Sequence, residues 1–383
     1  MQAIALRDRI FTGARSDERI GILLPPGVPA ALANFATTLA GRVPVNLDPT
    51  PPGDIARSMI ETCGISTVLT SRAYLEDVRA AAKLPRKGIV DVAEILSDLA
   101  VSRLAVVAVR WLPIAAAARL LGVGDTHDVD RVATILFSYP ADSPDRPRGV
   151  LLSHHNLLSN LEALRQVLDV TPRDAILGLL PFSNAMSFAT TLWLPVLSGA
   201  RVVYGFDRLH EGLGELVAAE QVSLLAVNPA LLASLTAFVS REQFASLRFA
   251  AVGGEDLPDE LGKAFAVKFG IEPLEGYGRP ECAPIVSLNA PDVAHGRERQ
   301  TGSRPGTTGH PLPGVSVRIV DPQTGQALPP GTDGILWVRG PNVMKGYADG
   351  DGDVLRDGWY VTGDQARMDE DGFLTVYYPP PQA

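Results

Sequence analysis

At 383 residues and 46% hydrophobic content, the chain is long enough to bury a large core and to divide into more than one subdomain. A formal net charge of −9 argues against a nucleic-acid partner, because phosphate contacts need clustered Lys and Arg. The two cysteines, Cys63 and Cys282, lie far apart without neighbouring His pairs, which excludes a disulfide framework and argues against structural zinc.

The first fifteen residues mix apolar positions with Arg7, Asp8, Arg9 and Arg15, unlike the unbroken apolar stretch of a signal peptide, so a cytoplasmic location is the default expectation. Short apolar runs then alternate with helical patterns. Ile20–Leu24, Thr67–Thr70, Ala133–Phe137, Ala175–Leu179, Arg201–Tyr204, Ser223–Val227, Phe249–Val252 and Ile271–Leu274 read as buried strands. Val28–Ala40, Asn156–Val167, Leu209–Glu220 and Asp259–Phe269 read as helices between them. Such alternation predicts an α/β fold of parallel sheets covered by helices on both faces. Residues 102–124 are apolar but interrupted by Arg103, Arg110, Arg119 and Pro113, too broken for a spanning helix. They predict a buried or surface-lying helix pair, with peripheral docking on a membrane surface as the alternative. Residues 294–307 read as a mobile loop. Val315–Val320, Ile335–Arg339 and Leu374–Tyr377 predict a small antiparallel, barrel-like unit. The expected division is a first α/β subdomain over 1–125, a second over 126–300 and the β-barrel over 301–383.

Six segments stand in order along this frame: FSYPADSPDRPRGVLLSH (137–154), LLPFSNAMSF (179–188), VGGEDLP (252–258), EGYGRPECAP (275–284), PGTTGHPLPG (305–314) and GWYVTGD (358–364). Together they resemble the adenylate-forming superfamily of acyl-CoA synthetases, acyl-carrier-protein synthetases and luciferases. The wording of GYGRPECAP resembles most the synthetase region of the acylglycerophosphoethanolamine acyltransferase/acyl-carrier-protein synthetase family. The resemblance implies the large N-terminal domain of such enzymes, without the small C-terminal domain that bears a catalytic Lys. It further implies ATP or AMP with magnesium, a carboxylic acid (a fatty acid), and coenzyme A or acyl carrier protein as acceptor.

Residue by residue, the resemblance assigns Tyr277, between Gly276 and Gly278, to a sharp turn that lays its ring against adenine. A buried turn tyrosine is the plainer alternative. Glu281 matches the family's catalytic magnesium ligand, and a capping or salt-bridged glutamate is the other reading. Asp364 matches the carboxylate that accepts both ribose hydroxyls, against a simple turn aspartate. Gly253, Gly254 and Glu255 match the loop bordering adenine. Arg148 stands where the phosphate loop has Lys, and Asn184 and Met186 lie in the segment at the mouth of the acyl site. Lys345, in VMKGY, matches a barrel loop.

Four departures bear on chemistry. The phosphate loop has lost both inner glycines, and Pro140 and Pro144 carry no N–H to offer an anion. Asp142 and Asp145 add negative charge there; at an effective dielectric of about 20, a like-charge pair about 4 Å apart costs roughly 4 kcal/mol. Pro280 replaces the family's Thr, and Asn184 stands where the family has a His or aromatic residue. The last residues given, Tyr377 to Ala383, do not continue into the Lys-bearing domain. The expectation is an acyl-adenylate-forming ligase domain impaired in adenylation, or else a non-catalytic relative that binds an acyl group, a nucleotide or a partner.

Overall fold

The computed structural model describes residues 1–11, 18–48, 53–78, 88–99, 106–107, 110–122, 128–140, 143, 145–208, 212–295, 298–350 and 354–377. They form two compact units. One comprises Met1–His154, Pro181–Asn184 and Lys345–Gly350; the other comprises His155–Leu180, Ala185–Met344 and Asp351–Ala383.

Among the described residues, the first unit is built on a seven-stranded sheet. Its order is Gly346–Tyr347, Arg148–Ser153, Val132–Ser138, Val43–Asn46, Arg19–Ile22, Thr67–Thr70 and Ile89–Asp91. The pairings from Val132–Ser138 through Ile89–Asp91 are parallel, as the continuous apolar runs imply. The two at the other edge are antiparallel. Every residue of Val43–Asn46 and Thr67–Thr70 is buried. Leu23, Val45, Met59, Val68 and Ile135 make the core on one face. Asn46 escapes the cost of burial through a reciprocal amide pair with Asn34, at 2.9 and 3.0 Å.

The second unit also holds a seven-stranded sheet, ordered His310–Pro311, Ile285–Leu288, Leu274–Gly278, Phe249–Gly253, Leu224–Val227, Ala175–Gly178 and Arg201–Tyr204. Again the pairings are parallel except for the two at the His310 edge. Leu177, Val217, Leu225, Leu232 and Phe265 pack one face, drawing on the helices Pro229–Phe238 and Asp259–Phe269. A further antiparallel sheet orders Ser316–Val320, Gly334–Arg339, Trp359–Met368 and Leu355–Arg356, with Leu374–Tyr377 pairing to Trp359–Met368.

Several local expectations need correction. EGYG is not a turn: Leu274–Gly278 is a strand that begins where the predicted Ile271–Leu274 run ends. VMKGY is not a barrel loop, because Gly346–Tyr347 pairs with Val150 and Leu151 as the edge of the first sheet. The described part of residues 294–307 contains strand as well as loop. Val293–His295 and Glu298–Gln300 form a hairpin, and beyond it Gly302 and Arg304 donate backbone N–H groups to Asp292 and Asn289, each at 2.9 Å. Of residues 102–124, the described part contains the helix Ile114–Leu120, which buries only Ala117 and leaves Ile114 89% exposed. No helix of the described residues is long and apolar enough to cross a membrane.

The segment after Met186 is wound unusually wide. Ala185–Ser187 is α-helical, Phe188–Trp193 is a π-helix, and Leu194–Ser198 returns to α. Pro195 explains part of this, since it has no N–H to give the Thr191 carbonyl four residues back. The Tyr204 hydroxyl donates to that carbonyl instead, at 3.0 Å. Gly178 makes room for the Tyr204 ring, because a Cβ there would fall 2.8 Å from Cδ1. Removing the hydroxyl leaves a buried carbonyl orphaned. Tyr204→Phe is therefore expected to lower unfolding free energy by about 1–3 kcal/mol in urea denaturation. An unchanged midpoint would show that the carbonyl finds another donor.

Candidate functional site

The candidate site grows from two backbone irregularities in the second unit. The first is a bulge in the strand Trp359–Met368. Ile335 pairs with Gln365 and Trp337 with Val361, so Thr362, Gly363 and Asp364 stand opposite Leu336 alone. Gly363 takes a left-handed φ of 78°, a conformation glycine adopts without strain. The Thr362 hydroxyl pins the bulge, donating to the Leu336 carbonyl at 2.8 Å and accepting from the Asp364 N–H at 3.0 Å. The result pushes the Asp364 carboxylate out of the ladder.

The second irregularity interrupts the hairpin of Leu274–Gly278 with Ile285–Leu288, between Tyr277 and Gly278. The strands approach closely here. A Cβ on Gly276 would lie 2.8 Å from Leu288 Cδ1, and one on Gly278 would lie 2.4 Å from the Pro284 carbonyl oxygen. The two glycines therefore serve strand contact around a buried tyrosine. The 3-10 turn Pro280–Cys282 follows, and Glu281 accepts a backbone bond from Met344 at 2.9 Å.

These elements bring Tyr277, Arg279, Glu281 and Asp364 together. Tyr277, only 2% exposed, donates its hydroxyl to Asp364 Oδ2. Arg279 Nη1 lies 2.7 Å from both Asp364 oxygens, and Arg279 Nε lies 3.6 Å from Glu281 Oε2. Burial, and then the Asp364 carboxylate, hold the Tyr277 phenol well above its usual range, so it stays a donor. Burial alone would weaken the charge on Arg279. Tyr360, Asp364, Glu281 and Tyr277 outweigh it and raise the guanidinium further. Burial and Glu281 keep Cys282 a thiol, and burial pushes Cys63 up to about 11, so neither cysteine is a thiolate nucleophile near neutrality.

The other predicted site residues fall into smaller groups. Gly253 ends its strand opposite Gly276, and a Cβ on it would lie 4.0 Å from Met186 Sδ. Gly254 has a left-handed φ of 93°, and Glu255 is exposed. In the first unit, Arg148 is already engaged. Its guanidinium lies 3.6 Å over the Tyr347 ring and its Nη2 is 3.2 Å from Asp349 Oδ1. Ser138 and Arg148 face each other across the hairpin. Between them, Ser143 and Arg146 donate their N–H groups to the Pro140 and Ser143 carbonyls, at 3.1 and 3.0 Å. The loop residues Ala141, Asp142 and Pro144 lie outside the described residues. Asn184, also in the first unit, is exposed and donates its N–H to Pro181 at 3.0 Å.

The family model for AMP-binding enzymes matches residues 3–348. The chain belongs to the AMP-binding enzyme family. It is 28% identical over 95% of its length to a long-chain-fatty-acid–CoA ligase of Yersinia pestis, spanning 68% of that protein. It is 32% identical over 67% of its length to a medium-chain-fatty-acid–CoA ligase of Ectopseudomonas oleovorans, spanning 49% of it. The chain thus spans about half the length of several curated relatives it matches. Among solved structures it resembles ATP-bound MatB from Rhodopseudomonas palustris, with TM-score 0.78 and 21% identity over 98% of this chain and 71% of that one. It also resembles o-succinylbenzoate CoA synthetase from Bacillus subtilis in complex with its acyl-adenylate intermediate. The TM-score there is 0.77 and the identity 22%, over 98% of this chain and 70% of that one.

Within this AMP-binding fold, Arg279 is the site residue that motif reading passed over. Its signal was present: a charged residue between Gly278 and Pro280, inside a motif otherwise made of glycines and one ring. Glu281 lies against a guanidinium, with Oε2 3.6 Å from Arg279 Nε, and a magnesium ion there would be held by this one carboxylate together with the substrate's phosphates.

Glu275, at the head of the same motif, titrates unusually. Burial pushes its carboxyl up to about 7, with Asp259 and Asp256 adding to it and a bond from the Gly306 N–H opposing it. The folded chain holds this proton more tightly than the unfolded one. The resulting stabilisation is complete below the ordinary 4.5 and is lost as pH rises toward about 7. Urea midpoints should fall between about pH 5 and about pH 8 in the native chain, and fall less in Glu275→Gln. Parallel slopes for the two proteins would assign the fall to other groups.

Proposed function

We propose that this chain is the adenosine-binding, acyl-adenylate-forming part of a fatty-acid ligase, weakened at the pyrophosphate end of its nucleotide site. The observation that carries the reading is the gathering of Tyr277, Glu281 and Asp364 around Arg279. Family membership and the likeness to fatty-acid–CoA ligases support it. In the reaction, a carboxylate oxygen of the fatty acid attacks the α-phosphorus of ATP and pyrophosphate leaves. A thiol, of coenzyme A or of an acyl carrier protein, then attacks the acyl carbon and AMP leaves.

On this reading Asp364 accepts the ribose hydroxyls, the buried Tyr277 supports that carboxylate through its hydroxyl, and the Gly253–Gly254 strand end borders the base. The bulge at residues 362–364 orients Asp364 by backbone geometry, which favours a fixed acceptor. Met186, next to Gly253, belongs to the acyl side of the site. Glu281 is the carboxylate that would help hold a magnesium ion beside the phosphates, and no step is assigned to that ion.

Arg148 is the residue on which the phosphate end turns. Its ion pair with Asp349 and its stacking on Tyr347 satisfy it without a ligand. Two loop N–H groups are likewise committed to the Pro140 and Ser143 carbonyls. These commitments favour a second reading, a relative that binds adenosine or an acyl group without activating it. Pyrophosphate exchange with ATP, magnesium and a panel of fatty acids separates the two: exchange above background supports the ligase, and none with any acid supports the binding module. In calorimetric titration we expect AMP to bind at least as tightly as ATP. Markedly tighter ATP binding that is lost in Arg148→Ala would show a rebuilt phosphate site.

A further inference from the structure

We propose that Arg279 is a latch that competes with ribose for Asp364, so that nucleoside binding requires the guanidinium to let go. The inference rests on the adenosine reading above and deepens it. Both Asp364 oxygens lie 2.7 Å from Arg279 Nη1, and Oδ2 also accepts the Tyr277 hydroxyl. A ribose diol brings two donors to an acceptor that already has two donor groups. It gains little until one of them leaves.

The geometry offers a way out for Arg279 and not for Tyr277. Tyr277 is 2% exposed and fixed in a strand between two glycines that cannot accept side chains. The Arg279 and Asp364 side chains are 22% and 19% exposed, so solvent and ligand reach their contact. The guanidinium also bridges two carboxylates. When it releases Asp364 it keeps Glu281, whose Oε2 is 3.6 Å from Nε and whose side chain is 2% exposed. Opening therefore leaves no buried charge stranded, the outcome that makes breaking most buried ion pairs so costly. The ribose hydroxyls then take the donor positions that Arg279 vacates.

A ligand without the diol cannot exploit the open state. The latch thus acts on ribonucleosides and leaves dideoxynucleosides indifferent. The test is calorimetric titration of the purified chain, native and Arg279→Met, with adenosine and with 2′,3′-dideoxyadenosine. Methionine keeps the length and apolar stem without the charge. Adenosine should bind the variant about tenfold more tightly or better, the scale of one charge-assisted hydrogen bond. Dideoxyadenosine should bind both proteins alike. Unchanged or weaker adenosine binding in the variant overturns the latch while leaving the adenosine reading intact. Adenosine binding to neither protein overturns that reading, and the latch with it. If circular dichroism shows Arg279→Met unfolded, Arg279→Gln serves, since it removes the charge and keeps a polar group beside Glu281. A gain for adenosine alone then supports competition at Asp364, and no gain overturns it.

Discussion

One guanidinium, set between two carboxylates, lets the candidate site exist as a buried polar cluster. Glu281 is 1% exposed, and a carboxylate so enclosed needs an opposite charge close by. Arg279 supplies it and at the same time fixes Asp364 through one nitrogen shared between both oxygens. Two carboxylates against one cation leave a residual negative charge, and the Tyr277 hydroxyl takes up part of it by hydrogen bonding. The surrounding backbone conforms to this cluster. The bulge at Thr362–Asp364 thrusts one acid inward, and the hairpin break after Tyr277 brings Arg279 and Glu281 round to meet it.

The same cluster bears on how glycines in the motif are understood. Gly276 and Gly278 look like turn residues when only their order is considered, because two glycines about one ring commonly mark a reversal. In the folded chain they lie in a strand whose neighbour leaves no room for a Cβ. Gly363 is different: its left-handed φ builds the bulge that carries Asp364. The sequence patterns are alike, yet one pair answers to a packing limit and the other residue to a torsional one. Local pattern cannot separate these cases, since the atom excluded from Gly278 belongs to Pro284, across the hairpin.

The strand–helix alternation was legible because buried parallel strands are short and apolar on both faces. Arg201–Tyr204 and Thr67–Thr70 lie where periodicity puts them, and Asp259–Phe269 is a helix over its expected span. The antiparallel edges were not legible. Gly346–Tyr347 is two residues long and too short for any period, and it joins a sheet whose other strands end almost two hundred positions earlier. Residues 294–307 read as a mobile loop from polarity alone. Within them Gly302 and Arg304 are tied to Asp292, Asn289, Asp369 and Asp371, the last two paired with Arg304. Composition marks such a segment as solvated without revealing which carboxylates will meet it.

Arg148 and Arg279 illustrate a single limit on motif reading. Each is a cation beside a recognised motif position, and from order alone each is free to meet a phosphate. In the folded chain each has an acid of its own, Asp349 for Arg148 and Asp364 for Arg279, contributed from far along the sequence. A cation with a resident partner contributes to anion binding only by the difference between two pairings, not by the whole of one. The Arg148 side chain is 19% exposed and stacked on Tyr347, while its partner Asp349 is 41% exposed, so solvent screens this pairing only in part. For Arg279 the two partners differ, Glu281 being 2% exposed and Asp364 19%. Order along the chain assigns such a cation to an anion, and only the fold shows which carboxylate has already claimed it.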